Sequence, residues 1–321
     1  MRLFDLHCDT AGECYNKKIP LAENDLHISL CKGKTLDKWC QVFAIWIPDE
    51  FRGKDALEYF IKVLENHKNE INKNADKIKL CQQFSDIDEA VKNGKCAALT
   101  AVEGGSPFAE KDVVFIAKEH GVKLITLTWN GENELGYGCQ SGVDSGLKEC
   151  GKTLLRSMCD MNIVADVSHL NRAGFYDAVS SGARVIASHS NCEKVLLKTR
   201  KDSTDSFFSC RRSLNDEQIK ILIECGGLIG INFCKSFLGD NGDDGFEAVY
   251  RHMAHILDLG GENVLAIGSD FDGCDINPEL SGIDKIENLN RFLADKGMDS
   301  VLLDKIFFSN SQKFFKNILQ E

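Results

Sequence analysis

The sequence predicts an α/β fold, a closed (β/α)8 TIM-type barrel, on three observations. Eight short apolar or alternating runs recur along the 321 residues. Segments of helical spacing separate them, and no Pro/Gly/Ser-rich linker breaks the series, prolines numbering only 4. Strands apolar on both faces that alternate with amphipathic helices form parallel sheets covered on both sides. Eight such repeats favour a cylinder over the alternative, an open doubly wound sheet, and point to one domain over residues 1–321.

The first strand is Leu3–Leu6 and the second Val42–Trp46. Leu57, Phe60, Ile61 and Leu64 then stand at helical spacing, and the Lys/Asn-rich stretch Lys62–Lys79 reads as that helix's solvated face and its loop. Ala97–Val102 is the third strand, Val113, Ile116 and Ala117 mark a helix, and Lys123–Thr128 is the fourth strand. Leu154, Leu155 and Met158 precede the fifth strand, Asn162–Val167, and Arg184–Ser188 forms the sixth. Ile219, Leu222 and Ile223 lead to Gly227–Asn232, and Met253, Ile256 and Leu257 to Val264–Gly268. The run from Gly239 to Gly245 places Gly242 at a ligand position of a calcium loop, so it reads as a turn-rich surface loop.

Composition excludes several classes. With 43% hydrophobic and 27% charged residues the chain is globular, and 38 Lys+Arg against 49 Asp+Glu leave a net charge of −11. That field repels phosphate backbones, so nucleic acid is not an expected partner. The 14 cysteines contain no C-x-x-C pair and read as reduced thiols. Charge arrives too early after Met1 for a signal peptide, and no 18-residue apolar run follows, so a cytoplasmic location without membrane contact is expected.

Barrel enzymes assemble their sites at the carboxyl ends of the strands, and metal-capable side chains recur there. His7 and Asp9 lie two apart, which on an extended strand points both to one face and Cys8 to the other. Glu103, His169 and His189 each follow a strand. Three imidazoles and two carboxylates at one mouth suit two divalent ions, zinc foremost, with a carboxylate able to bridge them. Asp270 and Asp272 follow the last strand; one is placed to act as a base, while Asp272 equally suits a loop-organising role. His27, His67, His120, His252 and His255 lack strand-end placement and read as structural or solvated.

These motifs resemble the renal or membrane dipeptidase family, binuclear zinc enzymes among the amidohydrolase-like barrels. The likeness rests on Asp5-Leu6-His7-Cys8-Asp9, Glu103-Gly104-Gly105, Asp166-Val167-Ser168-His169, Ala187-Ser188-His189-Ser190, Arg212-Ser213-Leu214-Asn215-Asp216 and Gly268-Ser269-Asp270-Phe271-Asp272-Gly273, and runs nearly end to end. It implies two Zn2+ per chain, His7 and Asp9 on one, His169 and His189 on the other, Glu103 bridging and Asp270 handling the proton. It further implies that Arg212 holds the free carboxylate of a small dipeptide, that a zinc-bridged hydroxide attacks the peptide carbonyl, and that a homodimer can form. Two departures fall on the substrate side. Trp129 stands where many members have a histidine, and Cys234 where a tyrosine is usual; Asn130 or Tyr137 are candidates to substitute. Trp129 and Asn130 are accordingly expected to meet substrate, and another small amide, an N-acyl amino acid or a lactone is the alternative substrate.

Overall fold

A computed structural model of the chain describes residues 1–110, 113–199, 211–239 and 245–319. The described residues form nine strands: β1 (Arg2–Cys8), β2 (Lys38–Trp46), β3 (Ile78–Leu80), β4 (Cys96–Glu103), β5 (Val122–Thr126), β6 (Val164–Asp166), β7 (Val185–Ile186), β8 (Ile229–Ile231) and β9 (Leu265–Ile267). Eight of them run β7-β6-β5-β4-β2-β1-β9-β8, every pair parallel. A bridge between Ala187 and Ile229 joins the two ends into a nearly closed barrel, as the alternation predicts. Gly230 and Gly268 make this seam possible, because a Cβ at either would lie within 2 Å of the Ser188 carbonyl oxygen.

The ninth strand is a correction. Lys62–Lys79 is not helix face and loop throughout: the helix Gly53–Lys73 ends, and β3 opens at Ile78. β3 pairs with Cys96–Ala98 at the start of β4, whereas β5 pairs with Thr100–Glu103 at its end, so the two share one edge of a long strand. The loop from Gly239 to Gly245 falls largely on 240–244, outside the described residues.

Phe4, Leu6, Val42, Leu99, Leu124, Val164, Ile186, Leu228 and Ala266 form one buried cluster that draws on every barrel strand or its approach, and this cluster fills the cylinder. Phe308, Phe315, Ile318 and Leu319 join the same cluster and stop the amino-terminal end, with Phe315 stacked on Phe4 at 5.1 Å between centroids. The alternate residues, among them Leu3, Cys8, Phe43 and Ile45, belong to the larger cluster beneath the helices. His67 is buried there against Phe43, its Nε2 has no partner among the described residues, and burial draws its pKa down to about 4. His252, also buried, accepts from the Cys192 N–H at Nδ1 (3.1 Å) and faces the Leu238 carbonyl through Nε2 (3.2 Å). Both have the structural roles expected. No described helix is long and apolar enough to cross a membrane.

Candidate metal centre and catalytic cavity

The carboxyl ends of the strands carry the polar constellation. Between Asp5 and Cys8 the β1–β2 register slips by one residue, a bulge opposite β2 that re-aims the strand end. Cys8 falls in register with Phe43 and packs in the outer cluster, while His7 turns toward Glu103. Glu103 closes β4, and His169 and His189 stand beyond β6 and β7. His169, Asp270 and Asp272 hold left-handed backbone at φ of 68°, 60° and 70°, a conformation that costs a non-glycine residue about 1–2 kcal/mol. The strain gathers where the strands stop being strands.

The separations are short. Glu103 Oε1 lies 2.8 Å from His169 Nε2 and 3.4 Å from His189 Nε2, while its Oε2 lies 3.6 Å from His7 Nε2. His7 Nε2 is 3.4 Å from Asp9 Oδ2 and 3.9 Å from Asp270 Oδ1. Three sets of ligand atoms fall within 4.8 Å of one another: Glu103 with His169 and His189, His7 with Asp9 and Asp270, and His7 with Asp166 and His189. Each oxygen of Glu103 therefore faces a different imidazole group, the arrangement a bridging carboxylate needs.

Whether these residues fit a cation is answered by their unmet polar atoms. His7 Nε2 and Asp9 Oδ1 are buried and lack a hydrogen-bond partner among the described residues. His169 Nδ1 donates to Asn130 Oδ1 at 2.7 Å, and His189 Nδ1 donates to Ser188 Oγ at 2.7 Å, so both rings turn Nε2 lone pairs toward each other across 2.9 Å. Two lone pairs at that distance repel unless a proton or cation lies between them. The mixed nitrogen and oxygen set suits a borderline divalent ion such as zinc.

Electrostatics point the same way. Burial lowers both His169 and His189, assisted by the Arg212 charge and, for His189, by His7, which keeps these rings neutral. Burial works to raise Glu103, but the His7 charge and the histidine rings packed around it outweigh it and hold the carboxyl well below its usual range. Burial and the Glu103 charge push Asp9 up to about 7. Burial opposes charge on His7, and Glu103 and Asp9 overcome it, leaving His7 well above the ordinary histidine value.

Several supporting hydrogen bonds join residues distant in the chain. Asp166 accepts from Ser188 Oγ (2.5 Å), Thr126 Oγ1 (2.7 Å) and the backbone N–H groups of Ser188 (2.9 Å) and Ser168 (3.0 Å). With its oxygens so committed, it orients His189 through Ser188. Asn232 Nδ2 donates to Asp270 Oδ2 at 2.8 Å, fixing that carboxylate from the end of β8. Asp272 accepts from Thr10 Oγ1 (2.5 Å) and the His27 N–H (2.6 Å), the loop-organising role. Gly273 is needed beside it, since a Cβ there would sit 2.1 Å from Asp9 Oδ2.

A cavity of about 300 Å³ opens on the cluster, reaching Asp9, Glu103, His169 and Asp270 and walled by Trp46, Trp129 and Phe237. Trp129 packs edge-on to Trp46 at 5.1 Å, and Asn130 lines the same space while holding His169. Tyr137 is not among the lining residues. Arg212 is buried outside that lining. The Leu214–Cys192 bridge brings it to the end of β7, where Nη1 donates to Ser190 Oγ (3.0 Å) and Nη2 to the His189 carbonyl (2.9 Å). Its Nε has no partner among the described residues.

Comparison with known proteins matches residues 1–320 to the profile of a family described as membrane dipeptidase, peptidase family M19. A Klebsiella pneumoniae protein, described as an uncharacterized protein in the pqqA 5' region, is 27% identical over 83% of this chain and 98% of its own. Two crystal structures superpose on nearly the whole chain. One, described as dipeptidase AC, a metallo peptidase of family M19, is 23% identical with a TM-score of 0.88 over 99% of each chain. The other, a Rhodobacter sphaeroides metallo peptidase liganded with a phosphinate mimic of L-Ala-D-Ala, is 22% identical with a TM-score of 0.87, over 100% of this chain and 99% of that one. At these identities the two structures establish the fold.

Proposed function

The chain belongs to the membrane dipeptidase family, peptidase family M19, and on that premise we propose that it hydrolyses dipeptides bearing a free carboxylate, at two zinc ions held by His7, Asp9, Glu103, His169 and His189. The observation that carries this reading is the split of Glu103, one oxygen toward His169 and His189 and the other toward His7. Bound divalent ions supply a Lewis acid for the scissile carbonyl and lower the pKa of a coordinated water toward ~7. The residues of the chain do the rest. Asn232 anchors Asp270 Oδ2 and leaves Oδ1 facing His7, where it is placed to take the water's proton and return it to the leaving amine. Trp46, Trp129 and Phe237 exclude water from the apolar wall. Arg212 supplies positive charge beneath the rim of β7, and its Nε is a donor not yet used among the described residues. A cavity of about 300 Å³ stands at the small end of the ~300–1,000 Å³ range of ligand pockets, which suits a dipeptide and excludes a folded chain.

The test pairs metal analysis with hydrolysis of L,L and L,D dipeptides before and after chelation. Two zinc ions per chain and chelator-sensitive release of amino acids are expected. With two ions bound and no dipeptide cleaved, the reading fails. The aromatic wall and the missing histidine at Trp129 favour N-acyl amino acids as the second substrate class to assay.

A further inference from the structure

One cysteine pair lies on the cavity itself. Cys234, just past β8, and Cys274, in the loop past β9, both line it, and their side chains are close enough to influence one another. The backbone holds the two segments side by side: Cys234 forms an antiparallel bridge with Ile276, and the Lys235 N–H donates to the Asp275 carbonyl at 3.0 Å. Each cysteine is also tied to Asp270. Cys274 Sγ donates to the Asp270 carbonyl at 3.5 Å, and the Cys234 N–H donates to Asn232 Oδ1 at 2.6 Å, the residue that anchors the Asp270 carboxylate. Both thiols are free. Cys40, Cys81 and Cys96 also influence one another, but all three are buried and none lines this cavity.

We propose that Cys234 and Cys274 form an oxidisable dithiol, a peroxide-reactive modification site whose disulfide form turns the enzyme down. The Cys234 sulfur, as thiolate, attacks the O–O bond of hydrogen peroxide, takes one oxygen as a sulfenic acid, and the other oxygen leaves as water once protonated. The Cys274 sulfur then attacks the sulfenic sulfur, the S–S bond forms as the S–O bond breaks, and the hydroxyl leaves as a second water with the Cys274 proton. The two thiols lose two electrons and the peroxide gains them. The neighbouring Cys274 and the Ser236 hydroxyl at 3.1 Å hold the Cys234 thiol below its ordinary value despite burial, which favours Cys234 as the first to react. Closing the sulfurs to about 2.05 Å draws in the turn from Asp270 to Cys274 and removes the thiol that Asp270 accepts from. A shift of about 1 Å at a reacting group costs on the order of 100-fold in rate.

The loss of activity rests on the dipeptidase reading, whereas formation of the bond does not. Full-length zinc-loaded protein is treated with hydrogen peroxide, quenched with a thiol-blocking reagent, and digested. A linked peptide joining Cys234 to Cys274, a fall of about 10- to 100-fold in dipeptide kcat/KM and recovery of both with dithiothreitol are expected. Cys234→Ser and Cys274→Ser, each compared only with its own untreated sample, should lose the reversible fall, and either one alone suffices if the other does not fold. Absence of the linked peptide overturns the proposal, as does a linked peptide with undiminished hydrolysis. Reduced protein that cleaves no dipeptide yet forms the bond counts against the substrate reading and not against the dithiol.

Discussion

Asp166→Asn reverses a proton relay. In the protein Ser188 Oγ donates to Asp166 Oδ2 and accepts from His189 Nδ1, which leaves Nε2 of His189 bearing the lone pair that faces Glu103 and His169. Asparagine keeps one carbonyl oxygen for the N–H groups of Ser168 and Ser188 and turns an NH2 toward the hydroxyls of Ser188 and Thr126. Ser188 then accepts where it donated, and its own proton points at His189 Nδ1. The ring adopts the other tautomer, with hydrogen on Nε2. Four charge-assisted hydrogen bonds, each worth about 1.5–3 kcal/mol, become neutral ones of about 1 kcal/mol, so stability falls by about 2–8 kcal/mol. A change of this kind behind a metal-binding histidine weakens affinity about 10–100-fold. Zinc titration of the metal-free variant against a chromogenic chelator, with urea unfolding alongside, reads both quantities. Ser188→Ala removes the relay without altering charge and should lose affinity with a smaller loss of stability. An Asp166→Asn protein that binds zinc as tightly as the unaltered one would refute the relay.

Three further outcomes are expected. His67 is neutral when folded, with its pKa depressed to about 4, and takes up a proton on unfolding below about 6.5, so its stabilising contribution is complete above 6.5 and declines by about 1.4 kcal/mol per pH unit as pH falls toward 4. His67→Leu removes an unpartnered buried nitrogen, and urea unfolding between pH 7 and 4.5 should show a shallower decline with no loss at pH 7; an unchanged slope contradicts the assignment. Phe315→Ala opens the stacked end of the barrel and should cost about 3–5 kcal/mol in the same measurement, a loss below 1 kcal/mol arguing against its role as a stopper. Arg212→Met should abolish discrimination between a dipeptide and its carboxamide; if kcat/KM falls equally for both, Arg212 serves the His189 backbone and not the substrate.

The barrel was legible because its strands are buried on both faces and its helices on one, patterns that survive in a single sequence. The metal-capable residues were legible because each follows an apolar run. β3 was hidden, since three residues after a lysine-rich helix carry no period, and its place depends on how far β5 reaches along β4. The bulge that turns His7 inward was hidden too: spacing alone puts residues 5, 7 and 9 on one face, and only the slipped register separates Asp5 from His7. Asn130, Asp166, Ser188 and Asn232 act by touching residues distant in the chain, so their roles appear only once the loops are folded. Arg212 was found by its motif, but its burial beneath Ser190 was not.

β1 is flanked by β2 on one edge and by β9 on the other, the latter through Asp5 opposite Ile267. During synthesis at about 5–20 residues per second, that second edge waits on the order of tens of seconds for its neighbour to leave the ribosome. For that interval one edge of an apolar strand lacks its partner. His7 and Asp9 travel with it, so the cluster they form with Asp270 is complete only after translation of the last strand.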